Sequence, residues 1–359
     1  MRRRAFVHLA AFCVASFPFG SSAFAADGIH VSDPIVQANL AIYLLHGPAA
    51  GGGVPLTLQE ALAKGGVKVD ETGSVNELTA ENVGNEEVFV QAGDIVKGGR
   101  QDRVLSVDLL LPPRSGRVSI AAFCVEHGRW SGRSGEDAAR FASAGSAIPS
   151  HEAKIAMRTY SAAAAAAAAA PPRSAAEPDM YNAPLVDTGQ SQQTIWSTVT
   201  TVQERLTRSL GAPVAAARSP SSLQLSLENE KLKQAQATYI TAFQDAGESR
   251  ADIVGYVFAI NGKINGGDVY ASNALFRKMW RKQLLANVTE AISKKDAAGA
   301  APPSVKEVEA FLATAQTGAL TEHAINAAVR LATLDGNASL YAETRRPDGT
   351  WVHRNYLAK

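Results

Sequence analysis

Cysteine is scarce in this sequence, with two in 359 residues. That excludes a disulfide scaffold, and the lack of any Cys-x-x-Cys pair excludes the common thiolate zinc modules. Histidines outside the polar runs described below (His30, His46, His151, His323 and His353) have no recognised metal-ligand spacing, so no metal site is expected. Walker loops, His-Glu-x-x-His and Gly-x-Ser-x-Gly are missing, which removes the commonest signatures of nucleotide hydrolysis, zinc proteolysis and serine hydrolysis. No internal repeat is evident and no cofactor motif stands out. An excess of either charge is lacking as well: 35 Lys and Arg face 34 Asp and Glu. Such a chain has no bulk attraction to nucleic acid or to an anionic membrane.

The one apolar run of note comes first. Arg2, Arg3 and Arg4 precede the run Ala5 to Phe19, and Ala23-Phe24-Ala25 fits a small-x-small cleavage rule. Residues 1–25 therefore read as a signal peptide, cleaved after Ala25, and a periplasmic or secreted location is expected. No later segment is long enough to span a bilayer. Loss of the leader removes Cys13 and leaves Cys124 as a lone thiol.

The remaining chain reads as α+β, with an antiparallel β-rich part over residues 26–134. A low-complexity linker follows over residues 135–187, containing nine alanines, Ala162 to Ala170, before Pro171-Pro172. Poly-alanine forms helix readily, but nine residues are marginal alone and carry no chemistry. Residues 188–295 read as the helix and hairpin part of the same domain. Trp196, Val199, Val202, Leu206 and Leu210 recur at helical spacing before Gly211. Leu232, Tyr239 and Phe243 mark a second helix. Asn261-Gly262 between apolar runs is the strongest hairpin signal. Ser272 and the Ser304/Glu307 pair read as helix caps. Residues 296–359 read as a helix plus a C-terminal β-hairpin extension.

Two polar runs stand out: Lys97-Gly98-Gly99-Arg100-Gln101-Asp102-Arg103 and Cys124-Val125-Glu126-His127-Gly128-Arg129-Trp130. Between them lie Val104 to Leu111, a turn at Pro112 to Arg117, and the alternating run Val118 to Glu126. The simplest hairpin sets Leu111 opposite Val118, hence Arg103 opposite Glu126 and Leu105 opposite Cys124. Both runs then sit at the end away from the turn. Lys97, Arg100, Arg103 and Arg129 supply cations, Gly98-Gly99 allow close backbone approach, and Trp130 offers a ring to stack on a base or sugar. With Gln101 and Glu126 these residues form the candidate site for a small anionic or nucleotide-like ligand. A structural ion-pair cluster is the competing reading. Cys124 reads as a small buried hydrophobe beside Leu105. Gln192, Gln193 and Trp196, opening a helix, offer a further wall for the site or simply start its core stripe. Asn265 and Asp268 read as turn residues.

GDIVKGGRQDR, LLLPP, CVEHGRW, QQTIW and VGYVFAINGKINGGDVY together resemble the ARG and rhodanese-phosphatase-superfamily-associated protein family, over roughly Asp27 to Lys295. The resemblance implies an α+β domain and, through the genomic associations behind the family's name, a link to ADP-ribose or related nucleotides. The leading expectation is an exported, non-enzymatic binding or interaction domain. One alternative is a hydrolase of an ADP-ribose-like substrate with Glu126 as general base. Another is a structural envelope protein.

Overall fold

A computed structural model describes residues 28–133, 136, 140–169, 188–295, 300–318 and 320–359. The expected signal peptide and Pro171-Pro172 lie outside the described residues. The N-terminal strands are β1 (His30–Val31), β2 (Ile35–Gln37), β3 (Leu40–His46), β4 (Leu56–Thr57), β5 (Val67–Glu71), β6 (Glu77–Asn82), β7 (Val88–Val90), β8 (Asp94–Gly98), β9 (Arg103–Leu105), β10 (Leu109–Leu111), β11 (Gly116–Cys124) and β12 (Phe141–Ala147). A short helix α1 (Leu58–Ala63) follows β4. Helices α2 (His151–Ala169), α3 (Thr188–Leu210), α4 (Leu223–Leu227) and α5 (Glu230–Phe243) form the middle of the chain. Then come β13 (Ile253–Ile260), β14 (Lys263–Tyr270), α6 (Asn273–Ser293), α7 (Val305–Ala315), β15 (Thr321–Asn326), β16 (Val329–Asp335), β17 (Ser339–Arg345) and β18 (Trp351–Ala358).

Mixed α+β architecture follows from two kinds of local signal. Asn261 and Gly262 adopt φ of 51° and 73°, as a tight hairpin turn requires, and join β13 to β14. That hairpin is the centre of a nine-stranded sheet in the order β1–β3–β13–β14–β18–β17–β16–β15, with β2 sharing β1's edge of β3. The C-terminal segment, expected as a helix and one hairpin, supplies α7 and four strands of this sheet. A six-stranded sheet runs β12–β8–β9–β11–β6–β5, and β10–β7–β4 form a third, in which β4 and β7 run parallel.

Helix signals hold at their caps. Ser272 accepts from the Leu275 N–H, and Ser304 and Glu307 form a reciprocal capping box. The helix after Ser272, α6, is buried on nearly all sides and packs against α3, α5, β12 and β13. Its Phe276, Met279, Trp280, Leu284 and Val288 join Tyr256, Phe258 and Phe243 in the largest apolar cluster. Each such side chain taken fully out of water contributes about 1.5–3 kcal/mol.

Two regions depart from the sequence reading. The segment expected as a linker holds β12 and α2, whose first turns carry buried Ala153, Met157 and Arg158. The expected hairpin between the two polar runs is also different. Val104 to Leu111 breaks into β9 and β10 at Ser106 to Asp108, because Asp108 is drawn into a buried network described below. β10 leaves to pair with β7, and the first part of β11 pairs with β6. Only β9 stays on β11, with Leu105 opposite Ala122 and Arg103 opposite Cys124. The register is thus two residues away from the simple hairpin, and Arg103 does not face Glu126.

Candidate functional site

The two polar runs do meet. Gly98 and Gly99 turn the chain after β8 with φ of 124° and 56°. A Cβ on Gly98 would sit 2.4 Å from the Arg140 carbonyl oxygen, and one on Gly99 would sit 2.3 Å from the Phe141 ring. These glycines are therefore demanded by packing and turn geometry. The Gly98 N–H is already used, donating to Asp102 Oδ1 at 3.1 Å.

Arg103 is fully buried at the start of β9. Its guanidinium pairs with Glu71 at 3.3 Å and donates to the Gln101 carbonyl and side chain at 3.2 and 3.3 Å. Glu126, also fully buried, pairs with Arg129 at 2.6 Å and Arg133 at 3.6 Å, and accepts from the Ser219 hydroxyl. Arg133 reaches Asp102 at 2.5 Å and Glu136 at 2.8 Å. Ser222, the cap of α4, donates to Asp102 Oδ2 at 3.1 Å. Lys97 closes the ring on Glu228 at 2.6 Å and Glu136 at 3.7 Å. Four cations thus face five carboxylates.

This arrangement sets the protonation of the two inner acids in opposite senses. Burial would raise Glu126, but the Arg129 and Ser219 hydrogen bonds and the Arg133 charge hold it below the usual glutamate range. Burial wins at Asp102, whose carboxyl is pushed up despite Arg133, with Glu126 adding to the rise. A carboxylate held low, wholly buried and fully engaged is poorly placed to take a proton from a substrate.

Gln101 knits the runs together. Its amide donates to the Glu126 carbonyl at 3.1 Å, and its Oε1 accepts from Cys124 Sγ at 2.9 Å. Burial pushes the Cys124 thiol up to about 11, against the pull of Arg103, so it is a protonated core group. Gln192 of α3 accepts from the Cys124 N–H and donates to its carbonyl, both at 2.9 Å, acting as an extra strand beside β11. His127 stacks edge-on against Trp196 at 4.5 Å, and Gln193 is exposed next to it. Only the outer edge is open. Trp130 is 44% exposed, with the Arg100 guanidinium 5.4 Å and the Arg103 guanidinium 5.7 Å from its ring centre. Arg100 is exposed and has no ion pair among the described residues.

The chain matches, over residues 28–357, the domain described as the ARG and Rhodanese-Phosphatase-superfamily-associated Protein domain. It belongs to that family. The family domain therefore extends beyond Lys295 through the C-terminal strands, and takes in the alanine-rich segment. No curated protein and no solved structure matches the chain.

The family domain holds a second polar centre that sequence reasoning missed. His353 on β18 is buried between Asp108 Oδ2 at 2.7 Å and Asp268 Oδ1 at 3.0 Å. Asp268, read from sequence as a turn residue, instead lies buried on β14 and accepts four hydrogen bonds, from His353, Tyr256, Asn355 and Gln91. Asn265, read likewise, is buried on the same strand and donates to Glu290. Asp108 accepts from the Ala92 N–H at 2.8 Å and the Thr344 hydroxyl at 2.6 Å. Tyr270 stacks on the imidazole at 4.9 Å. Burial disfavours a charged imidazole, yet the two aspartates overcome it and raise His353 to about 9. Asp108 is driven well below its usual range, His353 outweighing its burial. Among the described residues no group of three or more His, Cys, Asp or Glu is arranged to hold a metal ion, and no helix is long and apolar enough to cross a membrane.

Proposed function

We propose that this family member is an exported, non-enzymatic binding domain for a small anionic or nucleotide-like ligand, taken at the outer rim of the Arg103–Glu126 network. The observation that supports the reading is the contrast between Arg100 and its neighbours. Lys97, Arg103, Arg129 and Arg133 are consumed by carboxylates, whereas Arg100 is presented to solvent over the half-exposed Trp130 ring. A planar cation beside an indole suits a phosphate joined to a flat base or to a sugar. The ADP-ribose link implied by the family resemblance makes ADP-ribose the first ligand to try. The hydrolase alternative is weakened by the burial and low protonation range of Glu126. The structural alternative is favoured by the same charge pairing that exempts Arg100, and the inner ring serves it on either reading.

Titration calorimetry with ADP-ribose, AMP and pyrophosphate tests the proposal. Binding is expected, weakened about tenfold or more by Arg100→Ala, the usual size of a lost charge-assisted hydrogen bond. Loss of affinity in Trp130→Ala for ADP-ribose and AMP, but not pyrophosphate, assigns the base or sugar to the indole. Absence of binding to all three, with both variants folded, overturns the proposal in favour of a structural role. Turnover of a ligand that disappears in Glu126→Gln overturns it in favour of the hydrolase.

A further inference from the structure

Beside the His353 centre lies a small chamber between β14, β18, α6 and the first turns of α2. Its polar lining includes Gln91, Lys154, Arg158, Asp268, Gln283 and Asn355, together with Ser106, whose hydroxyl already donates to the Ala121 carbonyl. Its free space is about 20 Å³. That is room for one water-sized or monatomic species. Four features decide which species fits.

The first is donors left over. Arg158 is 6% exposed and gives one bond, from Nη2 to Asn355 at 3.2 Å, while its Nη1 has no hydrogen-bond partner among the described residues. Gln283 is 2% exposed, and its Nε2 is likewise unpartnered. A buried guanidinium or amide nitrogen left dry costs about 1–3 kcal/mol or more, so an occupant that accepts is called for. The second is the state of the acceptors. Asp268 already takes four hydrogen bonds, and the Asn355 oxygen is taken by Arg158. A water would bring two hydrogens to a lining rich in donors, whereas an anion only accepts.

The third is charge. Lys154, Arg158 and His353 face Asp108 and Asp268, three cations against two carboxylates. With His353 raised to about 9, the imidazole is charged at neutral pH and the surplus is one positive charge. The fourth is location: the chamber is separate from the Arg100–Trp130 rim, and none of its residues takes part in the Arg103–Glu126 network.

We propose that this chamber binds a single monatomic anion, a halide, held by Arg158, Lys154 and the Gln283 amide. The anion neutralises the surplus charge and satisfies the two orphan donors. It also ties α2 to the strands carrying Asp268 and Asn355, so the occupied state is the more stable one.

Melting of the purified full-length chain tests this in sodium chloride, bromide and formate against sodium gluconate, at constant ionic strength. Gluconate is too large for the chamber. The expected result is a rise of about 2–4 °C in chloride or bromide that saturates at millimolar anion, as mass action on one site requires. Formate, with three heavy atoms, is expected to behave as gluconate; a saturating rise in formate equal to that in chloride overturns the monatomic assignment. Lys154→Met removes one charge from a half-buried position, and Gln283→Leu removes one donor at similar volume. Each is expected to raise the half-saturating concentration about tenfold. A bromide-soaked crystal should give an anomalous peak within hydrogen-bond reach of Arg158 Nη1. Equal melting in all four salts, or a saturating rise unchanged by both variants, overturns the proposal and leaves the chamber to water.

Discussion

The Arg103–Glu126 network and the His353 centre both bury charge, but they differ in how their residues come together and how their charges sum. The first is largely local: two polar runs and the arginine just beyond them meet across β9 and β11, with Glu71, Ser219, Ser222 and Glu228 closing the ring. Its carboxylates outnumber its cations, and each inner cation has a carboxylate. The second draws Asp108, Arg158, Asp268 and His353 from four distant stretches, and with Lys154 on the same helix as Arg158 its cations are in surplus, three against two. A network in which every inner cation already has a carboxylate is a clamp, whereas one with surplus cations and idle donors is set to receive an anion. The eye-catching cluster in the sequence is therefore the more self-satisfied of the two, and its ligand-facing part shrinks to Arg100 and Trp130.

The sharpest way to test the comparison is to break the imidazole link. His353→Gln removes the charge that keeps Asp108 and Asp268 tolerable in the core, and a buried pair deprived of one partner is destabilised by about 3–5 kcal/mol. Urea unfolding should show that loss. A change below about 1 kcal/mol would mean the two aspartates do not depend on His353.

A smaller effect separates the two networks by pH. His353 has its folded value raised above the 6.5 of a free imidazole, to about 9. The sign follows directly. Its contribution is fully present below pH 6.5 and is lost as pH rises through 9, at most ~3 kcal/mol over that window. In the other network burial raises Asp102 while the Arg129 and Ser219 hydrogen bonds lower Glu126, so their shifts act in opposite senses. Denaturation midpoints measured across the window should decline in the parent chain and flatten in His353→Gln. An equal decline in both would assign the alkaline loss elsewhere.

What could be read in the sequence depended on distance along the chain. Asn261-Gly262, the Ser272 cap and the Ser304/Glu307 box are short-range signals whose physics is complete within a few residues, and each forms as expected. The meeting of the two polar runs was legible because one connection joins them. Their register was not, because Asp108 interrupts the first strand of the expected hairpin to reach a histidine 245 residues away. His353 and Asp268 carried no local signal at all: one looked like a scattered histidine and the other like part of a glycine turn. Arg158 was hidden by the alanines after it, which suggested a spacer, although Ala153, Met157 and Arg158 form a buried helical face. Arg133 lay three residues past the second run and could have been included by extending the arginine spacing from Arg129.

The finest test lies within a single run. Arg100 and Arg103 are three residues apart and share the Trp130 ring, yet one is in solvent and the other is fully buried on Glu71 and Gln101. If the rim is for ligand and the interior for the fold, the same substitution must have different consequences. Arg103→Ala strands Glu71 and the Gln101 oxygen and should cost about 3–5 kcal/mol in urea unfolding. Arg100→Ala should stay within about 0.5 kcal/mol of the parent, because a surface cation over an indole stabilises little against its own hydration. Equal losses in the two variants would make Arg100 part of the clamp and remove the rim as a place for a ligand. A stability-silent Arg100→Ala leaves its role to be read from binding alone, which is the behaviour a residue kept for recognition must show.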